Sequence, residues 1–224
     1  MADIKSLQHL IELMAVLRSK SGCPWDRRQS PESLKPSVLE ECYELLDAID
    51  RGSKDEIRDE LGDLLLQVIF QSQIFSEQGD FTIYDVADSI CKKIIRRHPN
   101  VFTEKNLRAH DQKWEEIKAK ERVENGQSNL LSDRIPRNFP ALKYASKCSE
   151  LIEREEAPKL FFQIKNQLLK INDLIKMLSG NHEKRASIFG EMLFCVARLA
   201  HTLGVDPEDA LRNIVRSKIH EYDT

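Results

Sequence analysis

Apolar residues recur at three- and four-residue intervals along most of the chain, and alternating β-branched segments bounded by tight turns are lacking, so the pattern predicts an all-α protein. Leu7, Leu10, Ile11, Met14 and Leu17 place one helix from about Ile4 to Arg18, followed by a loop at Ser21-Gly22-Cys23-Pro24-Trp25-Asp26. A second helix begins near Ser30-Pro31 or, more firmly, near Pro36, and stops at Gly52, which suits a left-handed C-terminal residue. Ser53 and Glu56 have capping-box spacing and open a third helix that runs to about Ser76 and ends at Gly79. Thr82 opens a fourth, which carries Val86, Ile90 and Ile94 inward until Pro99 stops it.

The third helix breaks the expected pattern in one place. Glu60, Asp63, Gln67 and Gln71 form a polar line among Leu61, Leu64, Leu65, Leu66, Val68, Ile69 and Phe70, so the helix should be buried and its acids with it. A buried carboxylate is costly unless it is paired or bound to a metal. Glu41 and Glu44, three residues apart, share a face of the preceding helix, and a turn at Arg51-Gly52-Ser53 would bring them opposite Glu60 and Asp63. Such a convergence of carboxylates without histidine or thiolate suits Mg²⁺, with Mn²⁺ as the alternative; a structural ion pair is the plainer reading. Gln67 and Gln71 are expected to line the adjoining pocket or to hydrogen-bond between helices.

Other polar groups have two readings each. Lys93, Arg96 and Arg97 fall within one turn and could neutralise phosphate oxygens, although cations before Pro99 also complement the helix dipole. Trp25 could stack on a base or pin its loop to the core, and Trp114 is expected to pack. A ferritin-like di-iron bundle is excluded, because no glutamate has a histidine three residues on.

From about Glu104 to Arg154 the chain is charged and interrupted, which divides it into a helical domain over 1–120, a connection over 121–154 and a second helical domain over 155–224. The second repeats part of the first: Glu60-Leu-Gly-Asp63-Leu-Leu-Leu-Gln-Val68 corresponds to Ile188-Phe-Gly-Glu191-Met-Leu-Phe-Cys-Val196, and the following glycine turn recurs at Gly204.

Composition narrows the setting. The 224 residues include 41% hydrophobic types, enough for a core, and the net charge of −3 offers no broad attraction for nucleic acid. Five scattered cysteines without a C-x-x-C pair argue against a disulfide framework or zinc site and for a reducing cytoplasm. The amino terminus lacks the apolar region of a signal peptide, and no apolar run approaches a membrane span.

With these residues assembled, the chain resembles the MazG family of nucleoside triphosphate pyrophosphohydrolases in the all-α NTP pyrophosphatase superfamily. The resemblance rests on Glu41-Cys-Tyr-Glu44 followed by Glu60-Leu-Gly-Asp63, with the flanking stretches Gly22-Cys-Pro-Trp-Asp26, Leu39–Ile49 and Arg96-Arg-His-Pro-Asn-Val-Phe102, and covers about residues 1–120. It implies a helical bundle of MazG type and Mg²⁺-dependent cleavage between the α and β phosphates of a nucleoside triphosphate, giving a monophosphate and pyrophosphate. Glu41, Glu44, Glu60 and Asp63 would hold the metal, Glu41 or Glu44 would orient the attacking water, and Lys93, Arg96, Arg97 and Trp25 would bind substrate. A homodimer or larger homo-oligomer is implied as well. Two-domain relatives repeat the acidic motif, but here the matching positions read Gln167-Leu-Leu-Lys170 and Ile188-Phe-Gly-Glu191, and Lys93, Arg96 and Arg97 align with Ser217, His220 and Glu221. The second copy is therefore expected to keep the scaffold without activity. The competing expectation is a non-catalytic scaffold of the same fold that binds a nucleotide or a protein.

Overall fold

Helix termini are set by local chemistry that can be followed along the chain. A computed structural model describes residues 2–102, 130–151 and 182–223 continuously, and 117–118, 120–124, 126, 128, 161–163, 165–166 and 169 besides. Among them every regular element is a helix. They fall into two compact units, Met1–Ile117 and Lys118–Thr224.

The first unit contains α1 (Ala2–Arg18), α2 (Pro24–Arg28), α3 (Lys35–Arg51), α4 (Lys54–Gln78), α5 (Ile83–Arg97) and the short α6 (Pro99–Phe102). Gly52 and Gly79 end α3 and α4 with φ of 69° and 80°, a backbone region in which a side chain would be strained. Thr82 and Asp85 cap α5 reciprocally, each side chain accepting from the other residue's backbone N–H. The capping box expected at Ser53 does not form: that side chain makes no cap bond, and Glu56 instead accepts from Arg51 Nε at 2.8 Å. Ion pairing with a guanidinium at the hairpin turn outcompetes a neutral cap. The expected loop after α1 also contains a helix, since Pro24 occupies the first turn of α2, where its missing N–H costs nothing. The chain reaches α2 through Gly22, where a Cβ would lie 2.2 Å from the Leu17 carbonyl oxygen.

α4 is the hub, packing on α1, α3 and α5. Met14, Leu34, Ile69, Phe70 and Ile74 form the core cluster, with Leu10, Ile11, Leu66 and Ile83 packed against it. Each of the five contributes roughly 1.5–3 kcal/mol by leaving water. One polar clamp joins this core. The Arg18 side chain, 6% exposed, donates from Nε and Nη2 to the two Glu77 carboxylate oxygens at 2.9 and 2.8 Å. Its guanidinium also lies 5.5 Å from the Phe70 ring centre, and Nη1 donates to the backbone carbonyls of Asp26 and Gln29. α1, α2 and α4 are thereby tied at one point.

Two expectations of burial fail. α4 is covered on one side only, with Leu61, Leu65 and Val68 at 50%, 40% and 42% exposure, and Asp63 is exposed too. On α5, Ile90 and Ile94 are 47% and 43% exposed rather than turned inward. Periodicity identifies which positions form an apolar stripe, but the described helices of this unit do not cover every stripe.

In the second unit, α7 (Leu131–Arg134) and α8 (Ala141–Leu151) precede α9 (His182–Thr202) and α10 (Pro207–Asp223), and α8 packs on both α9 and α10. Part of the stretch expected to be a connection is therefore helix. The α9–α10 turn repeats the α4–α5 turn: Gly204 has φ 72°, and the Val205 N–H reaches the Ala200 carbonyl at 2.8 Å as the Asp80 N–H reaches that of Phe75 at 3.1 Å. Asp206 caps α10 by accepting from the Glu208 N–H at 3.0 Å.

Arg18→Ala is expected to cost about 2 kcal/mol, below the range for a fully buried pair because Glu77 is 37% exposed. The measurement is the urea midpoint by circular dichroism. The hydrogen bonds from Arg18, ahead of one from Gln73, hold the Glu77 carboxyl below its ordinary value of 4.5, so the contribution is complete above that value and vanishes as pH falls through the lowered one. The stability gap between wild type and variant should accordingly narrow at acid pH, leaving the part due to the Asp26, Gln29 and Phe70 contacts.

Candidate metal centre

The α3–α4 hairpin sets the register of the acids. Glu41 and Asp63 each lie eleven residues from Gly52, so an antiparallel pair closed at that glycine brings them level, with Glu60 one turn nearer the closed end. The turn is held by Arg51, which bridges Asp47 on α3 and Glu56 on α4. One carboxylate oxygen each from Glu41, Glu60 and Asp63 lies within 4.8 Å of the others. Glu41 and Glu60 are half-buried and Asp63 is exposed.

Electrostatics match that crowding. Loss of water pushes the Glu41 carboxyl up from its ordinary value, the charge of Asp63 adds to this, and the Gln67 hydrogen bond opposes it. Burial raises the Glu60 carboxyl also, reinforced by Glu44 and Asp63 and opposed by Arg51. Glu44 stands outside the trio of closest oxygens, exposed on α3, but its charge acts on both Glu60 and Glu41. An arrangement of closely spaced oxygen donors that repel one another, with no nitrogen or sulfur ligand among them, fits a hard divalent cation.

Gln67, one turn beyond Asp63, is the buried member of the polar line at 8% exposure. Its Nε2 donates to Glu41 Oε1 at 3.5 Å, linking α4 to α3 as a between-helix contact. Its Oε1 is buried and meets no hydrogen-bond donor among the described residues.

The remaining sequence candidates sit elsewhere in the first unit. Lys93, Arg96 and Arg97 occupy the last turns of α5, with Lys93 and Arg97 half-buried and Arg96 exposed. Trp25, on α2, is 54% exposed, with its backbone carbonyl accepting from Gln29 Nε2 at 3.0 Å. Arg51, which tempers the Glu60 carboxyl, was not a candidate from sequence. Its signal was its place in a turn between two acid-bearing helices. Ile188 and Glu191 of the second unit are on α9, whereas Gln167 and Lys170 of that unit and Trp114 of the first lie outside the described residues.

Comparison with known proteins bears on the same stretch of the chain. Residues 29–102, which span the hairpin and α5, match the model of the MazG nucleotide pyrophosphohydrolase domain. The chain is 40% identical over 220 residues to the Thermotoga maritima nucleoside triphosphate pyrophosphohydrolase/pyrophosphatase MazG, covering 96% of this chain and 83% of that protein. It is 34% identical over 218 residues to an Escherichia coli K12 nucleoside triphosphate pyrophosphohydrolase, covering 93% and 82% respectively. A Mycobacterium tuberculosis protein of the same name is 36% identical over 161 residues, 70% of this chain and 48% of its own.

Raised carboxyl values have a stability consequence with a definite sign. The folded chain binds the Glu41 proton more tightly than the unfolded chain, so stability falls as pH rises through the raised value, and at neutral pH the ionised group is unfavourable without a cation. Glu41→Gln should therefore raise the thermal midpoint of the metal-free protein at pH 7, with the gain disappearing toward pH 4. Scanning calorimetry in chelator measures this.

Proposed function

Because the chain belongs to the MazG family of nucleotide pyrophosphohydrolases, we propose that it is a nucleoside triphosphate pyrophosphatase, cleaving between the α and β phosphates in its first unit alone. The observation that carries the reading is the meeting of Glu41, Glu60 and Asp63 from two helices, with Glu44 beside them. These four would hold Mg²⁺, with Mn²⁺ as a substitute. When bound, such a cation neutralises charge on the phosphates and makes water a better nucleophile.

The chain's own groups account for the remaining work. Glu41 or Glu44 orients a water toward the α phosphorus and accepts its proton as the new P–O bond forms. The bond from that phosphorus to the bridging oxygen breaks, and pyrophosphate leaves with the bond's electron pair. Lys93, Arg96 and Arg97 on α5 neutralise the charge that grows on the leaving group, and the exposed Trp25 ring offers a surface on which a base can stack. The acids are acceptors only when ionised, so they cannot hold the phosphate chain unaided. A separate cationic group is needed, and α5 supplies it.

The second unit keeps the scaffold without the chemistry in this reading. Where the first has Glu60 and Gln67, it has Ile188 and Cys195, and a lysine at position 170 opposes cation binding. The uncovered apolar stripes belong to assembly. Leu39, Tyr43 and Leu46 on α3, and Leu61, Leu65 and Val68 on α4, repeat at helical spacing and are at least 40% exposed, which suits a homodimer. Such an enzyme would work in the cytoplasm on free nucleotides.

Pyrophosphate release from a panel of ribo- and deoxyribonucleoside triphosphates with Mg²⁺ tests the activity. Glu44→Ala and Asp63→Ala should each reduce kcat at least a hundredfold, while Glu191→Ala should leave it unchanged. No release from any triphosphate by the folded wild type would favour a non-catalytic nucleotide-binding scaffold instead. Leu65→Glu combined with Val68→Glu should halve the mass measured by light scattering, and an unchanged mass would remove α4 from the interface.

A further inference from the structure

Gln67 is the one side chain of the polar line that is more than nine-tenths buried, and it is only half satisfied. Its amide nitrogen donates to Glu41 at 3.5 Å, but its buried carbonyl oxygen meets no donor among the described residues. Exchanging the two ends of the amide does not remove the anomaly, because an oxygen would then face a carboxylate oxygen and the buried NH₂ would become the orphan. A buried polar atom that no protein group meets usually finds its partner in an ordered water or an ion.

The second unit provides an internal comparison. By the correspondence that aligns Glu60–Val68 with Ile188–Val196, Gln67 matches Cys195, and both positions are 8% exposed. The scaffold therefore accepts a small, weakly polar residue at this depth where two of its neighbours in the line have also changed, Glu60 to Ile188 and Asp63 to Glu191. A folding requirement for the amide is not what the position has in common. What distinguishes the two copies is the acidic cluster.

We propose that Gln67 is a positioning residue of the metal centre: Nε2 fixes the rotamer of Glu41, and Oε1 accepts a hydrogen bond from a water in the hydration shell of the incoming cation. This rests on the reading that the acids hold a divalent cation. Oxygen-only sites keep several waters on the metal, and outer partners of this kind tune affinity by about ten- to a hundredfold. The same amide thus couples α3 to α4 before the cation enters and gains its missing donor afterwards.

Two substitutions separate this role from packing. Gln67→Met preserves length and bulk but removes donor and acceptor, whereas Gln67→Glu keeps an acceptor at the same reach. Mn²⁺ affinity of the full chain is read by titration calorimetry without nucleotide, alongside the thermal midpoint in chelator. Gln67→Met is expected to bind Mn²⁺ about tenfold more weakly, by the lower end of that range, with a metal-free midpoint equal to or above that of wild type, and Gln67→Glu, which keeps the acceptor but loses the donor to Glu41, to bind more tightly than Gln67→Met. Wild-type Mn²⁺ affinity in Gln67→Met overturns the proposal, as does a lowered metal-free midpoint with unchanged affinity, or Gln67→Glu binding as weakly as Gln67→Met. Absence of Mn²⁺ binding by the wild type would instead overturn the reading of the acids themselves.

Discussion

Repulsion among Glu41, Glu60 and Asp63 is the constraint around which the first unit is arranged. Carboxylates at that spacing drive their helices apart unless something else holds the hairpin closed. The opposing forces are local and directional. Arg51 bridges the two helices at the turn, and the far face of α4 is anchored by Ile69, Phe70 and Ile74 against α1 and the start of α3. α4 thus carries repulsion on one side and cohesion on the other. The Arg18 clamp strengthens the cohesive side, since the guanidinium that holds Glu77 also sits against Phe70 in that same core.

An unpaired charged site of this kind is a stored cost. The raised Glu41 and Glu60 carboxyls and the unpartnered Gln67 oxygen are three expressions of it, all within two turns of α4 and one of α3. Such strain would make a cation's arrival favourable, because binding would satisfy groups that folding left unsatisfied. In the second unit Cys195 is buried on α9, and a left-handed glycine follows that helix as Gly79 follows α4.

Much of this was legible along the chain because its causes are local. The ends at Gly52 and Gly79, the cap at Thr82, the acid-bearing faces and the resemblance to the MazG family depend on residues a few positions apart. The failures share a different cause. Ser53 could not be known to lose Glu56 to Arg51, because both a cap and an ion pair were open to the same carboxylate, and the winner depends on where the arginine stands across the turn. Ile90 and Ile94 form an apolar stripe as expected, but a stripe does not name its cover.

Sequence by itself determined the helical class and the acid pairs and their spacing, since period, residue chemistry and chain order are properties of neighbours. Tertiary structure alone decided which acids meet and at what depth. It drew Glu41, Glu60 and Asp63 together with Glu44 slightly apart, left Asp63 exposed, and buried Gln67 with one end unsatisfied. These outcomes depend on the crossing of α3 over α4 and on the helices that do or do not cover each face. No periodicity along a single chain encodes how far a side chain on one helix lies from a side chain on another.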